Sequence, residues 1–102
     1  MQLNVHSIQF KADQKLISFV QEKVDKLEQF FDHIITGEVI LKLEKSEDTK
    51  NKVSEIRIHI PGKELFAKRQ CKSFEEGIDE SVEALRRQLM KSKGKRKVRL
   101  AS

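Results

Sequence analysis

Between Leu16 and Phe31 the apolar residues recur at three- and four-residue steps, while before and after that stretch they alternate at every second residue. This change of period does most to limit the fold. Steps of three and four belong to a helix with one apolar face, and steps of two belong to strands with one face buried. Leu16, Phe19, Val20, Val24, Leu27, Phe30 and Phe31 form the helical stripe, opposite Lys15, Glu22, Lys23, Asp25, Lys26 and Glu28. Asp13 stands where an N-cap is needed, so the spacing predicts a helix over about 14–31.

Strand signals flank this helix. Leu3 and Val5 alternate, and Ile8 and Phe10 alternate in the opposite phase, which predicts a first strand with a bulge near His6-Ser7. Gly37 marks the exit from the helical region. Val39, Leu41 and Leu43 then give a second strand, Ser46 to Lys52 a polar loop, and Ile56, Ile58 and Ile60 a third strand. Pro61-Gly62 is a turn signal, so Leu65 to Cys71 completes a hairpin. Ser73-Phe-Glu-Glu76 has the form of a capping box, and Phe74, Ile78, Val82, Leu85 and Leu89 follow on one helical face. That helix is predicted to run to about Lys93 and to stop at Gly94, leaving Lys95 to Ser102 as a mobile tail. A unit of residues 1–94 with a flexible basic tail, 95–102, is the expected organisation.

The order is β-α-β-β-β-α, an α+β class. A β-α-β start needs a crossover, so the first two strands should be parallel and the others antiparallel. The expectation is a two-layer sandwich, a four-stranded mixed sheet with two helices on one face. With 102 residues and 37% hydrophobic content, one small domain with a modest core is what the chain can build. Apolar runs such as Val39-Ile40-Leu41 are far short of the roughly 20 residues a membrane span requires. No signal peptide is visible, and Cys71 stands alone, so a cytoplasmic setting is expected.

Charge is distributed unevenly. Residues 1–85 carry 13 Lys and Arg against 16 Asp and Glu, whereas residues 86–102 carry 8 Lys and Arg and no acid. One or two cations at a helix carboxyl end would serve the macrodipole. Eight without acidic partners repel one another, and such a block suits a polyanion, most commonly phosphate. Arg86, Arg87, Lys91 and Lys93 lie opposite or beside the apolar stripe and make a cationic ridge, which Lys95, Arg96 and Lys97 extend. Lys23 and Lys26 of the first helix can add to it, although Glu22 and Asp25 sit beside them. Glu22/Lys26 and Glu83/Arg87 are spaced as surface ion pairs.

Catalytic signals are weak. His6, His33 and His59 lack a second ligand type at metal spacing, one cysteine cannot make a zinc site, and the four glycines form no phosphate loop. No catalytic residue, metal or cofactor is expected, nor a small-molecule substrate. There is no Trp or Tyr, and the six Phe fall mainly on core stripes, which disfavours base stacking and favours recognition of structured RNA by shape and phosphate.

Three runs, Lys26-Leu-Glu-Gln-Phe-Phe-Asp32, Val39-Ile-Leu-Lys-Leu-Glu-Lys45 and Ile78-Asp79 through Leu85, Arg87-Gln-Leu89 and Lys91-Ser-Lys93, together resemble the ribosome hibernation-promoting factor family, formerly called sigma-factor modulation proteins. The resemblance implies a fold similar to the double-stranded-RNA-binding domain. It implies docking on the small ribosomal subunit and its ribosomal RNA between head and body, across the paths of mRNA and of A- and P-site tRNA, so that translation is inhibited in idle ribosomes. It carries the contacts to Lys23, Lys26, Arg86, Arg87, Lys91 and Lys93. The chain resembles the short form, without the second domain by which long members pair two ribosomes, and is expected to be a monomer when free. From the residues alone, a generic structured-RNA-binding module and a protein-interaction regulator with a basic tail stand beside this reading.

Overall fold

A computed structural model describes residues 1–44 and 49–101, with side chains as far as Lys91. The elements are β1 (Gln2–Ile8), α1 (Gln14–Asp25) with a 3-10 turn (Lys26–Gln29), β2 (Thr36–Leu43), β3 (Lys52–Ile60), β4 (Lys63–Cys71) and α2 (Phe74–Ala101). They form one sheet in the order β1-β2-β3-β4, with β1 parallel to β2 and the other pairs antiparallel. The α+β order and the mixed sheet are those expected. Residues 46–48 of the expected loop lie outside the described residues.

The core sits between the sheet and the helices. Val39 and Leu41 of β2, Ile56, Ile58 and Ile60 of β3, and Leu65 and Ala67 of β4 meet Val20, Val24, Leu27, Ile78, Leu85 and Leu89. These strand residues share one parity because side chains alternate across the sheet. Asp13 caps α1, its Oδ1 accepting from the Leu16 N–H at 2.8 Å. Ser73 caps α2, its Oγ accepting from the Glu76 N–H at 3.2 Å.

Several boundaries differ from expectation. The β1–β2 register runs unbroken from Gln2↔Thr36 to Ile8↔Lys42, so β1 has no bulge at His6-Ser7. The change of phase lies at Gln9, whose φ of 68° turns the chain after the strand has ended. Phe10, beyond that turn, stacks on Phe74 at 4.7 Å. The first helix ends at Asp25 and tightens into the 3-10 turn, so the apolar stripe does not continue in phase. Phe31 is buried, but Phe30 keeps 43% of its surface exposed. Gly37 lies inside β2, not at the helix exit. A Cβ there would come within 2.8 Å of Met1 Sδ and 3.1 Å of Leu3 Cδ1, so a larger residue would need those side-chain ends to shift. Gly62, with φ 87°, supplies the turn between β3 and β4.

Gly94 does not end α2. The helix runs to Ala101, and the segment expected as a mobile tail from Lys95 is helical. An interior glycine costs about 1 kcal/mol relative to alanine, which the flanking Lys, Arg and Leu, all good helix formers, can offset. Leu89 is the last buried position among the described residues. About 18 Å of helix follows it at 1.5 Å per residue.

Gly77 sets how closely α2 approaches the sheet. A Cβ there would lie 2.7 Å from Ser54 Oγ and 3.1 Å from Ser54 Cβ. Ser54 is fully buried and donates to the Phe74 carbonyl at 3.3 Å, so it has little room to yield. Gly77→Ala should therefore lower stability by about 1–3 kcal/mol despite alanine's better helix propensity. In a Ser54→Ala background the same change should cost less. Denaturant midpoints of the four proteins test this, and equal costs in both backgrounds would contradict it.

Candidate nucleic-acid interface

α2 turns Phe74, Ile78, Leu85 and Leu89 into the core. Its outward residues divide by charge. Glu75, Glu76, Asp79, Glu80 and Glu83 occupy the amino-terminal half, and every charged residue from Arg86 onward is basic. The arrangement opposes the helix dipole at both ends.

Arg86 and Arg87 share one acidic neighbour. Arg86 Nε donates to Glu83 Oε2 at 3.0 Å, and Arg87 Nε lies 3.7 Å from Glu83 Oε1. The hydrogen bond from Arg86 holds the Glu83 carboxyl below its usual range, and the same bond raises the Arg86 pKa. The Arg87 side chain is 72% exposed. Lys91, one turn further, is exposed. Lys93, Lys95, Arg96 and Lys97 have side chains outside the described residues, and the helical backbone carries their positions along the same rod.

Lys23 reaches α2 by its acidic half, 3.4 Å from Asp79, and its ammonium lies 5.4 Å from the Phe19 ring centre. Lys26 is exposed, and no ion pair joins it to Glu22 among the described residues. The 3-10 winding that starts at Lys26 breaks the i,i+4 spacing expected there. The Glu83/Arg87 pair is present. Arg86 and Arg87 are thus brought together, with Lys91 beside them, while Lys23 is tied to Asp79 and Lys26 stands on the neighbouring turn.

The open face of the sheet is different. Its rows bring Glu38, Arg57 and Phe66 side by side, and Ile40, Glu55 and Lys68. Arg57 Nε pairs with Glu64 at 2.7 Å and its Nη1 lies 4.0 Å from Glu38, while Lys42 lies 3.5 Å from Glu55. Arg57 and Lys42 are thus matched within the sheet, while Lys68 is exposed beside Glu55, and the run of cations that no acid interrupts is the carboxyl half of α2. His59, partly exposed, lies on this face 3.6 Å from Glu64.

Two features escaped the sequence. Phe30 and Phe66 are each 43% exposed, so two of the six Phe lie off the core stripes where most were expected. Both neighbour an arginine, Arg86 at 5.6 Å from the Phe30 ring and Arg57 at 5.7 Å from the Phe66 ring. Position 30 fits a helical stripe by spacing, so only the 3-10 turn exposes it. The other feature is the grouping of Glu76 and Glu80 around Cys71, which pairing across the β4–α2 connection creates. Cys71 Sγ donates to Glu80 Oε2 at 3.3 Å. Burial, then the bond to Glu80, push the thiol up to about 11, so it keeps its proton. Folded protein should therefore react with iodoacetamide at pH 8 at least about a hundredfold more slowly than urea-unfolded protein. Equal rates would contradict a buried, protonated thiol. Along α2 a shallow groove lined by Arg69, Asp79, Glu80, Glu83, Ala84 and Arg87 mixes both signs of charge. Among the described residues no helix is long and apolar enough to cross a membrane.

Comparison with known proteins agrees with this architecture. The sequence profile of the family described as sigma 54 modulation protein / S30EA ribosomal protein matches residues 3–97. A ribosome hibernation promoting factor from Escherichia coli (strain K12) is 37% identical over 97 residues, covering 95% of this chain and 98% of that protein. In structure, the chain is similar to a ribosomal subunit interface protein from Coxiella burnetii, with a TM-score of 0.81 at 17% identity, over 92% of this chain and 99% of that one. It is also similar to the amino-terminal domain of Protein Y from Thermus thermophilus, with a TM-score of 0.75 at 20% identity, over 87% of this chain and 96% of that one. At these identities the two structures speak for the fold alone.

Proposed function

We infer the function from the family: this chain belongs to the sigma 54 modulation protein / S30EA ribosomal protein family, that of the ribosome hibernation promoting factors. The reading proposed is a non-catalytic, cytoplasmic hibernation factor acting as a monomer without a cofactor. It binds the small ribosomal subunit between head and body, overlaps the mRNA and A- and P-site tRNA paths, and inhibits translation in idle ribosomes. Residues 1–94 form the binding unit, and residues 95–101 lengthen its cationic helix.

The observation that supports this reading is the carboxyl half of α2, where Arg87 and Lys91 are exposed and every charged residue from Arg86 onward is basic, while Lys42 and Arg57 of the sheet are paired with Glu55 and Glu64. A charged rod on one edge of an acidic body suits ribosomal RNA phosphates. Arg86, Arg87, Lys91, Lys93, Lys95, Arg96 and Lys97 are the proposed contacts, with Lys23 and Lys26 at the flank. Glu83 then acts against binding by neutralising Arg86 and Arg87. Glu83→Gln keeps an acceptor for Arg86 and removes the charge, so it should tighten subunit binding by up to about fivefold, the range of an exposed ion pair. Unchanged or weaker binding would remove Glu83 from the account.

Co-sedimentation with purified small subunits tests the function. The expected result is saturable one-to-one binding that an excess of free RNA duplex does not displace. Displacement by any duplex would make the chain a generic structured-RNA module. Binding that survives nuclease digestion of the subunit RNA would make it a protein-directed regulator.

A further inference from the structure

Phe30 and Met90, both exposed, flank the half-buried Arg86 where the 3-10 turn meets α2. The Arg86 guanidinium lies 5.6 Å from the Phe30 ring centre, and its Nη1 lies 3.4 Å from Met90 Sδ. Phe30 is 43% exposed and Met90 54% exposed. Glu83 holds the guanidinium at two points, accepting from Arg86 Nε at 3.0 Å through Oε2 and from Nη2 through Oε1, which restrains the plane of the group. An aromatic ring, a fixed planar cation and a polarisable thioether side by side are the components of a stacking surface.

We propose that this surface stacks an unpaired nucleobase of single-stranded RNA whose phosphates lie on Arg87 and Lys91. Charge chooses the occupant. Arg87 is one residue from Arg86, and Lys91 follows four residues later, about 6 Å along the axis. An anionic strand bound there holds its bases within reach of Phe30 and Arg86. A duplex keeps its bases stacked inside and offers none, whereas a single strand offers a π-face at every nucleotide. The sheet provides an internal contrast. Arg57 and Phe66 make a similar ring-cation pair, but Glu64 and Glu38 flank Arg57 and repel a phosphate strand. The pair at Phe30 has one acidic neighbour, Glu83, among the described residues, and leads along α2 to exposed Lys91 and a run without acids.

This inference rests on the reading of α2 as an RNA-binding helix, and the test separates the two. The chain has no Trp or Tyr, so Phe30→Trp places one fluorophore in the surface. Full-length Phe30→Trp is titrated with single-stranded hexaadenylate and with inorganic polyphosphate of matched charge. Affinities of wild type and Phe30→Leu for both probes are measured in parallel, with circular dichroism confirming the fold. The expected results are quenching of tryptophan emission by hexaadenylate alone, and at least about fivefold weaker hexaadenylate binding by Phe30→Leu, as loss of one base stack implies. Polyphosphate affinity should stay within about twofold, since no phosphate contact is removed. Equal responses to both probes, or hexaadenylate affinity untouched by Phe30→Leu, would overturn the proposal. So would loss of subunit binding by Phe30→Leu with hexaadenylate affinity intact, which would place a ribosomal protein on this surface. If hexaadenylate does not bind while wild type still co-sediments with small subunits, the stacking surface fails and the hibernation reading stands. Failure of both would remove the RNA-binding reading of α2 as well.

Discussion

Replacing Arg86, Arg87, Lys91 and Lys93 together with glutamine should reduce small-subunit binding by about a thousandfold at 0.15 M salt. The size follows from counterion release. Each phosphate neutralised contributes about 0.9 to the logarithmic salt slope, so four contacts contribute about 3.6, roughly a thousandfold at that salt concentration. The fold should survive. Arg87 and Lys91 are exposed, Arg86 is half-buried beside Glu83, and position 93 lies beyond Leu89, the last buried position among the described residues. Losing a partly exposed Arg86–Glu83 surface pair weakens the helix little. Unchanged circular dichroism with lost co-sedimentation is the expected pair of results. Retained binding would show that this part of α2 does not carry the contact.

Leu85→Ala should have the opposite profile. Leu85 is fully buried, within the cluster that joins α2 to the sheet. Truncating it removes apolar burial and leaves a cavity, at a cost of about 2–5 kcal/mol. A domain of this size has about 5–15 kcal/mol in all, so the variant loses a large share of its stability. At about 4–8 °C per kcal/mol, the melting temperature should fall by at least about 8 °C. Thermal unfolding followed by circular dichroism checks this, and a fall below about 4 °C would contradict the packing described. The residue is next to Arg86 in sequence, so these two experiments distinguish the side of α2 that holds the fold from the side proposed to meet RNA.

Local chemistry made much of the fold legible. Asp13 and Ser73 are caps in the structure because a short side-chain acceptor before an apolar stripe satisfies helix amides locally. The parallel β1–β2 pairing followed from the need for a crossover around α1. What was not legible depended on distant neighbours or on subtle winding. Met1 and Leu3 side-chain ends close in on Gly37, and the short, buried Ser54 leaves no room for a side chain at Gly77. No local pattern records either contact. The 3-10 turn after Asp25 changes which Phe is buried, although the sequence there still has helical spacing. Gly94 was expected to be a breaker, but its cost is small against the helix formers around it.

The candidate site divides in the same way. A run of cations without acids is visible in composition, and Arg86, Arg87 and Lys91 belong to it. Their common neighbour Glu83 was visible only as a partner spaced for Arg87, whereas in three dimensions it also binds Arg86. The attachment of Lys23 to Asp79 joins helices more than fifty positions apart and has no sequence signal. Phe30 became part of a surface only through the end of the first helix and the side chain of Arg86.

The most direct test of the central claim, that the carboxyl half of α2 engages ribosomal RNA phosphates, is the salt dependence of small-subunit affinity for wild type and for the Arg86, Arg87, Lys91 and Lys93 to glutamine variant. If about 6–10 phosphates are engaged, wild-type affinity should fall about a thousandfold or more between 50 and 200 mM salt, and the variant's logarithmic slope should be shallower by about 3–4. Identical slopes for the two proteins, or a wild-type affinity indifferent to salt, would contradict the account.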